Sequence, residues 1–188
     1  MLHSALHPGF SAVSGTGVIA LRDIPMGTVL WGPCPQCRTW DTAELRGTPP
    51  EVIDWLDEFG YRLADRSLLL PCRGAHLLNH SCEATVLDHG LAGGIAVRDI
   101  EAGEEVTGDY RTFRYDVPWE FDCRCRAGSC PGTVRSSAGD PPGDLAAQWQ
   151  RRMAPALAAA RTVPQELPLR AGQVDGAPAG RPGPKEAP

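Results

Sequence analysis

The sequence predicts a mainly β fold with a minor helical share. Short apolar runs broken by glycine and proline fill much of the chain, which is how strands and tight turns read in sequence. One strand–turn–strand pattern occurs twice, at residues 14–30 and 93–106. Between the two copies, only residues 48–60 carry a strong helical period. At 188 residues, 42% of them hydrophobic, the chain is one domain with trailing appendages, and it holds enough apolar matter for an ordinary core.

The first copy, "SGTGVIALRDIPMGTVL", reads as a turn at Gly15-Thr16-Gly17, a strand from Val18 to Leu21, a reversal at Pro25-Met26-Gly27 and a second strand. The second, "GGIAVRDIEAGEEV", repeats the strand, Arg-Asp-Ile, turn and glycine, so one hairpin geometry is used twice in a compact β unit. Two copies are too few for a repeat protein. In "TPPEVIDWLDEFG", Thr48 is placed to cap a helix with Glu51 three positions on, and a proline takes the first helical position. Val52, Trp55, Leu56 and Phe59 make one apolar face, and Gly60 ends the helix. Glu51, Asp54, Asp57 and Glu58 form the other face, a solvated one or, more sharply, a wall favouring cationic substrates. "YRLADRSLLLP" (61–71) returns to strand. Beyond Cys130, "SSAGDPPGD" reads as a linker and Asp144 to Arg161 as a helix kinked at Pro155. From Thr162 onward, six prolines and four glycines in 27 residues predict disorder.

Composition excludes several classes. Net charge is −5, with no basic patch or stripe of the kind that follows phosphates, which argues against direct nucleic-acid binding. No apolar run is long enough to span a membrane. "MLHSALHPGF" lacks the pattern of a secretory signal, so a cytoplasmic protein is expected. Of the 18 basic residues all but Lys185 are arginine, which with abundant Ala, Gly and Pro suggests a GC-rich bacterial source. The seven cysteines are an odd count, and three of them crowd together, which favours metal-binding thiolates over disulfides.

Those three, Cys123, Cys125 and Cys130, have C-x-C-x4-C spacing, and Gly128 supplies the bend that gathers their sulfurs about one point. Zinc takes four tetrahedral ligands, so a further thiolate is required from Cys34, Cys37, Cys72 or Cys82. Cys34 and Cys37 in "GPCPQC", with Cys72, would make the core of a second metal site, but no clear fourth ligand is at hand. "LLNHSCEATV" (77–86) sets Asn79, His80, Ser81 and Cys82 side by side. Taken singly, such a histidine is an ordinary core residue, such an asparagine a turn residue and Asp109-Tyr110 a strand end.

Taken in order, the Gly-x-Gly strand entry, Asn-His-Ser-Cys, "GEEVTGDY" and C-x-C-x4-C strongly resemble a SET-domain protein-lysine methyltransferase with a post-SET zinc motif. The resemblance covers roughly residues 9 to 133. It implies a β-clip of small curved sheets, in which the chain around NHSC passes under the segment holding Asp109-Tyr110 in a pseudoknot. The implied division is a SET domain over 1–116 with a helical insert at about 41–60, a post-SET zinc segment over 117–135, and a linker, short helix and disordered Pro/Gly/Ala-rich tail over 136–188. Backbone around Gly15, Thr16 and Gly17 would cradle the methionine part of S-adenosylmethionine. Asn79 and His80 would lie against that cofactor too, with Tyr110 as the active-site tyrosine beside it. Tyr61 looks like the tyrosine that members often place near the cofactor and the lysine channel, in a catalytic and cofactor-contacting position. Cys82 would join Cys123, Cys125 and Cys130 as the fourth ligand of a structural zinc.

The implied activity is transfer of methyl groups from S-adenosylmethionine to the side-chain amine of lysine in a protein or peptide. A basic substrate suits the acidic helix face, and ribosomal or DNA-associated proteins are the natural candidates in a bacterium. The alternative is a catalytically silent SET module that binds a protein partner and uses zinc only to fold. Three departures bear on that choice. NHSC usually continues x-Pro-Asn, whereas this chain has Glu83, Ala84 and Thr85. Arg126 and Pro131 stand where the cysteine motif usually has Gly and Arg. Gly108 precedes Asp109 where many members carry Phe or Tyr, which widens the substrate channel and predicts tolerance of di- and trimethyllysine, unless Phe113 or Tyr115 fills the space. Asn79, His80, Asp109 and Tyr110 together favour the enzyme, because a scaffold needs none of them.

Overall fold

The computed structural model describes residues 1–62, 67–88, 91, 93–112, 119–135 and 141–169, with the backbone alone for Tyr61 and Arg62. In chain order the strands are β1 (Leu6–Phe10), β2 (Thr16–Ala20), β3 (Val29–Trp31), β4 (Arg38–Trp40), β5 (Tyr61–Arg62), β6 (Leu68–Leu70), β7 (Asn79–His80), β8 (Val86–Leu87), β9 (Gly94–Ala96), β10 (Glu105–Gly108), β11 (Glu120–Asp122) and β12 (Thr133–Arg135). The helices are α1 (Thr42–Arg46), α2 (Pro50–Phe59) and α3 (Gly143–Ala159). The strands form a seven-stranded central sheet in the order β1-β2-β10-β8-β9-β3 with β7 also pairing with β10, a small sheet β4-β6-β5, and the hairpin β11-β12. This is a mostly β fold of small sheets with few helices.

The duplicated sequence folds as one reciprocal unit. Neither copy closes on itself as a hairpin; instead each pairs with the other, β2 with β10 and β3 with β9, both antiparallel. At the centre, Ile24 and Ile100 exchange backbone hydrogen bonds of 2.8 and 2.9 Å. The two Asp residues of the Arg-Asp-Ile motifs cross over as well: Asp23 accepts the Ala102 N–H at 2.8 Å, and Asp99 accepts the Met26 N–H at 2.7 Å. Gly27 and Gly103 hold φ of +90° and +85° in the matching turns, which glycine adopts without strain. The expected double hairpin is thus corrected to a mutual clasp. Pairing between copies buries both apolar runs, Val18 and Ala20 against Ala96, Ile100 and Val106, in one cluster.

Helix α2 begins and ends where the sequence indicates, with Pro50 at its first position and Gly60 at its C-cap. Its cap differs from expectation. Pro49 takes the N-cap position without a side-chain bond, and the Thr48 hydroxyl donates instead to the Glu44 carbonyl, at 2.8 Å. The capping box belongs to α1, where Asp41 accepts from the Ala43 and Glu44 N–H groups and Glu44 reaches back to the Asp41 N–H. The apolar face of α2 is only partly covered: Leu56 is fully buried, while Trp55 is 44% exposed. "YRLADRSLLLP" contributes two antiparallel strands, β5 and β6, rather than one.

The C-terminal helix is no appendage. Trp149, Met153, Ala156 and Ala160 make one buried stripe against Leu87 and Ile95 of the central sheet and the flanking Ala84 and Val97. Truncating a buried tryptophan of this sort costs about 3–5 kcal/mol. Pro155 lies inside the helix, as expected, and the first residues after it remain packed. Leu167 is buried, and the Gln165 amide donates to the Gly27 carbonyl at 2.8 Å. Order therefore extends beyond Thr162 through Leu169; the later tail lies outside the described residues.

Candidate functional site

The site grows from strand β10. Thr107 and Gly108 pair in parallel with Asn79 and His80 of β7, and Gly108 also pairs with Val86 of β8. On its other edge β10 pairs with β2, so one short strand draws the Gly15–Gly17 entry, Asn79-His80 and Asp109-Tyr110 together.

Asn79 is buried, and its side-chain amide is the hub. It donates to the Ser11 hydroxyl at 2.9 Å, the Ser14 carbonyl at 3.0 Å and Glu105 Oε1 at 2.9 Å, with the Thr16 carbonyl at 3.4 Å. Glu105 also accepts from the Ser11 hydroxyl at 2.6 Å and the Ala12 N–H at 3.2 Å. These bonds pin the loop that carries Gly15, Thr16 and Gly17. A Cβ on Gly17 would lie 2.3 Å from Glu105 Oε1, so this glycine is what lets the carboxylate approach the loop. Ser11 and Glu105 are members of this network that sequence reasoning passed over; the charged residue amid "EEVT" was the available signal.

Tyr110 opens the short 3-10 turn after β10. Its hydroxyl donates to the Leu78 carbonyl at 2.7 Å, and its N–H donates to His80 Nδ1 at 3.0 Å. With Nδ1 accepting, the His80 proton sits on Nε2, 3.4 Å from the Cys82 sulfur. Burial lowers the His80 pKa to about 4 against the pull of Asp109, so the ring is neutral and its 3.8 Å approach to Asp109 is no ion pair. The Asp109 charge is met by Arg111, through Nε at 2.8 Å and Nη2 at 2.7 Å. Trp149 of α3 donates its indole N–H to the same carboxylate at 3.0 Å, tying the C-terminal helix to the site.

Cys82, Cys123, Cys125 and Cys130 hold their sulfurs within 4.8 Å of one another. The triplet occupies the loop of the β11-β12 hairpin, closed by Cys123 N–H to the Gly132 carbonyl at 2.6 Å. The Cys82 N–H points at the Cys125 sulfur, 3.5 Å away, and Arg111 Nη2 donates to the Cys82 carbonyl at 3.2 Å. Burial pushes the Cys82 thiol far above its ordinary value, so a thiolate there needs a cation beside it. Four converging sulfurs fit a tetrahedral thiophilic metal with no position left open. Of the four candidates for the missing ligand, geometry selects Cys82. Cys34, Cys37 and Cys72 gather elsewhere, as a separate group within 4.8 Å.

The departures from the usual motifs are absorbed locally. The Thr85 hydroxyl accepts from the Thr107 N–H at 3.0 Å and donates to the Thr107 carbonyl at 3.3 Å, and Arg152 of α3 donates to the Ala84 carbonyl. Arg126, at the usual glycine position, keeps the left-handed backbone with φ of +57°. A Cβ on Gly108 would meet nothing within 4 Å among the described residues. The side chain of Tyr61, and Phe113 and Tyr115, lie outside the described residues.

A family model for the SET domain matches residues 15–111. The chain belongs to the SET-domain family. Its members are in general lysine methyltransferases, typically using S-adenosylmethionine. The matched span holds the Gly15–Gly17 loop, Asn79, His80, Cys82, Asp109 and Tyr110 of this SET-domain chain and stops before the cysteine triplet. A comparison with curated proteins returned no match. Among the described residues of this SET domain and its C-terminal helix, none forms a helix long and apolar enough to cross a membrane.

Asp88 adds a titratable group bonded to Thr112 of the Tyr110 turn. The residue is half-buried, but its carboxyl is enclosed, and burial with the nearby Asp109 charge raises it to about 7 despite a hydrogen bond from Thr112. An unfolded aspartate titrates at about 3.9. Between those values the folded chain holds a proton that the unfolded chain has lost, so stability falls as pH rises from about 4 through about 7. Asp88→Asn removes that penalty. Its gain over the native sequence in denaturant midpoint should be larger at pH 8 than at pH 5; an equal gain at both would remove Asp88 from this role.

Proposed function

We propose that this chain transfers methyl groups from S-adenosylmethionine to the side-chain amine of lysine in a protein substrate. The observation that carries this reading is Tyr110, whose hydroxyl proton is committed to the Leu78 carbonyl beside Asn79 and His80. S-adenosylmethionine, when bound, supplies an electrophilic methyl carbon on a sulfonium. The pinned backbone at Gly15, Thr16 and Gly17, with Asn79 and His80, would hold it. Tyr110 and the pinned loop would align the lysine lone pair with that methyl carbon; the methyl would pass to nitrogen as the S–C electron pair stays on sulfur, and the resulting ammonium would lose a proton to solvent.

The amine has to arrive neutral. Lysine titrates near 10.4, so deprotonation at pH 7 costs about 4–5 kcal/mol, which a narrow apolar channel and a neighbouring sulfonium both reduce. Tyr110 needs no titration for its part. With its proton on Leu78, its oxygen presents lone pairs that orient the amine and favour the partly positive methyl group. Tyr61 would line the same channel. A structural zinc held by Cys82, Cys123, Cys125 and Cys130 would fasten the post-SET hairpin to this pocket. The acidic outer face of α2 suits a basic protein substrate in the cytoplasm.

Among the described residues nothing crowds the position beside Gly108, which supports a wide channel. The native enzyme should carry lysine to the di- and trimethyl states, and Gly108→Phe should confine it to the monomethyl state. Mass spectrometry of a methylated peptide reads the difference, and a native product that stops at monomethyllysine would reject the wide channel. The function itself is tested with zinc-loaded protein and methyl-labelled S-adenosylmethionine on a cell extract. Label in discrete proteins, mapped to lysine, supports the reading; cofactor binding without label would make this a silent, partner-binding module.

A further inference from the structure

We propose that Cys34, Cys37 and Cys72 form a second metal site, which binds a thiophilic divalent cation of the zinc class through three thiolates and leaves its fourth position to an exchangeable ligand. The three sulfurs lie within 4.8 Å of one another, with Cys34 3.5 Å from Cys37 and 3.5 Å from Cys72. Zinc–sulfur bonds of about 2.3 Å place tetrahedral sulfurs about 3.8 Å apart, close to this spacing. A disulfide would link one pair at about 2.05 Å and strand the third thiol. Cys34 stands equally near both neighbours, which is the arrangement of a shared centre rather than of a chosen pair.

Packing does not account for the cluster either. Cys37 is buried, but Cys34 and Cys72 are half-buried, and among the described residues none of the three belongs to an apolar core cluster. Two distant segments are brought together by local devices. Cys34-Pro35-Gln36-Cys37 forms a turn with the Cys37 N–H donating to the Cys34 carbonyl at 3.0 Å, which puts both sulfurs on one side. Strand β4 starts at the next residue, and its first rung pairs Arg38 with Leu70. Cys37 and Cys72 therefore flank the open end of the β4-β6 ladder.

The location gives the metal a task. It would clamp the point where the chain leaves the central sheet after β3 to the point where it returns after β6. The turn just beyond Cys72 sets Arg73 and Gly74 at φ of +59° and +82°, and a non-glycine residue pays for that conformation. That turn leads through Ala75–Leu77 to Leu78, whose carbonyl holds the Tyr110 hydroxyl. Among the described residues the group supplies three side-chain ligands. The Met1 amine, 3.6 Å from the Cys37 sulfur, is engaged by the Gly32 carbonyl, which leaves the fourth place to water or a small anion or thiol.

Metal content tests this without turnover, so its failure is distinct from failure of the methyl-transfer reading. The full chain, reduced and loaded with zinc, should carry about two ions, one for each cysteine group. Cys34→Ser combined with Cys72→Ser should carry about one and keep the four-cysteine site. A second measurement uses the unmutated chain: alkylation of Cys34 and Cys72 should be slow with zinc and fast after chelation. Cobalt loading reads the fourth position, where an added small thiol should shift the visible bands of the native chain and not those of the double variant. One zinc in the native chain, alkylation indifferent to zinc, or a disulfide seen by mass overturns the site; cobalt bands unmoved by the thiol overturn its open position.

Discussion

Replacing Cys82 with serine should release the metal of the four-cysteine site and weaken cofactor binding in the same step. Cys82 stands three residues after Asn79, its N–H meets the Cys125 sulfur, and its sulfur faces His80 Nε2. Among the described residues the triplet hairpin has a small apolar base. Phe121 and Val134 form only a small buried cluster with Cys82, and Phe121 in turn packs on His80 and Tyr110 at 5.4 and 6.0 Å. A structural zinc site contributes on the order of 10 kcal/mol of apparent binding energy, far more than that cluster can replace. Metal analysis and cofactor titration of Cys82→Ser, with Cys82→Ala beside it, read both losses. Zinc kept at full stoichiometry would show that the fourth ligand lies elsewhere.

Tyr110→Phe is expected to cut turnover by roughly 10²–10³-fold, the scale seen when one preorganised polar group is removed from a transition state. Cofactor affinity should hardly change, because the aromatic ring and its packing against His80 at 5.2 Å remain. The variant removes the Tyr110 hydrogen bond to the Leu78 carbonyl, which costs stability of about 0.5–1.5 kcal/mol. Thermal unfolding run beside single-turnover kinetics separates that loss from the chemical one. An unchanged rate would take Tyr110 out of the reaction.

Much of the site was legible because its chemistry is written in residue identity and local order. Asn79, His80, Cys82, Asp109 and Tyr110 stand in short runs, and the structure brings them together around β10. The cysteine triplet was equally plain, since C-x-C-x4-C confines three sulfurs to one hairpin loop. The partners of these residues were harder to see. Glu105 reaches Asn79 across a sheet, and Trp149 reaches Asp109 from forty residues away. The stripe Trp149, Met153, Ala156, Ala160 had helical spacing, but spacing alone does not say which sheet a helix will cover. Thr48 lost its capping role because two prolines follow it, and the better box at Asp41 and Glu44 lay a few residues upstream.

What the sequence determined by itself is therefore local: strand and helix periods, turn residues, the stock of thiols, and an ordered set of motifs that points to one family. Tertiary structure decided every choice among equivalents separated along the chain. It chose Cys82 over Cys34, Cys37 and Cys72 as the fourth thiol. It turned two like strand–turn–strand copies into one reciprocal clasp, because only pairing between them hides both apolar runs. It drew the C-terminal helix into the core, since an apolar stripe has to be covered by something. Local bonding preferences act over a few residues and are visible in a string of letters. Burial acts on whole faces, and which faces meet is settled only when the entire chain folds.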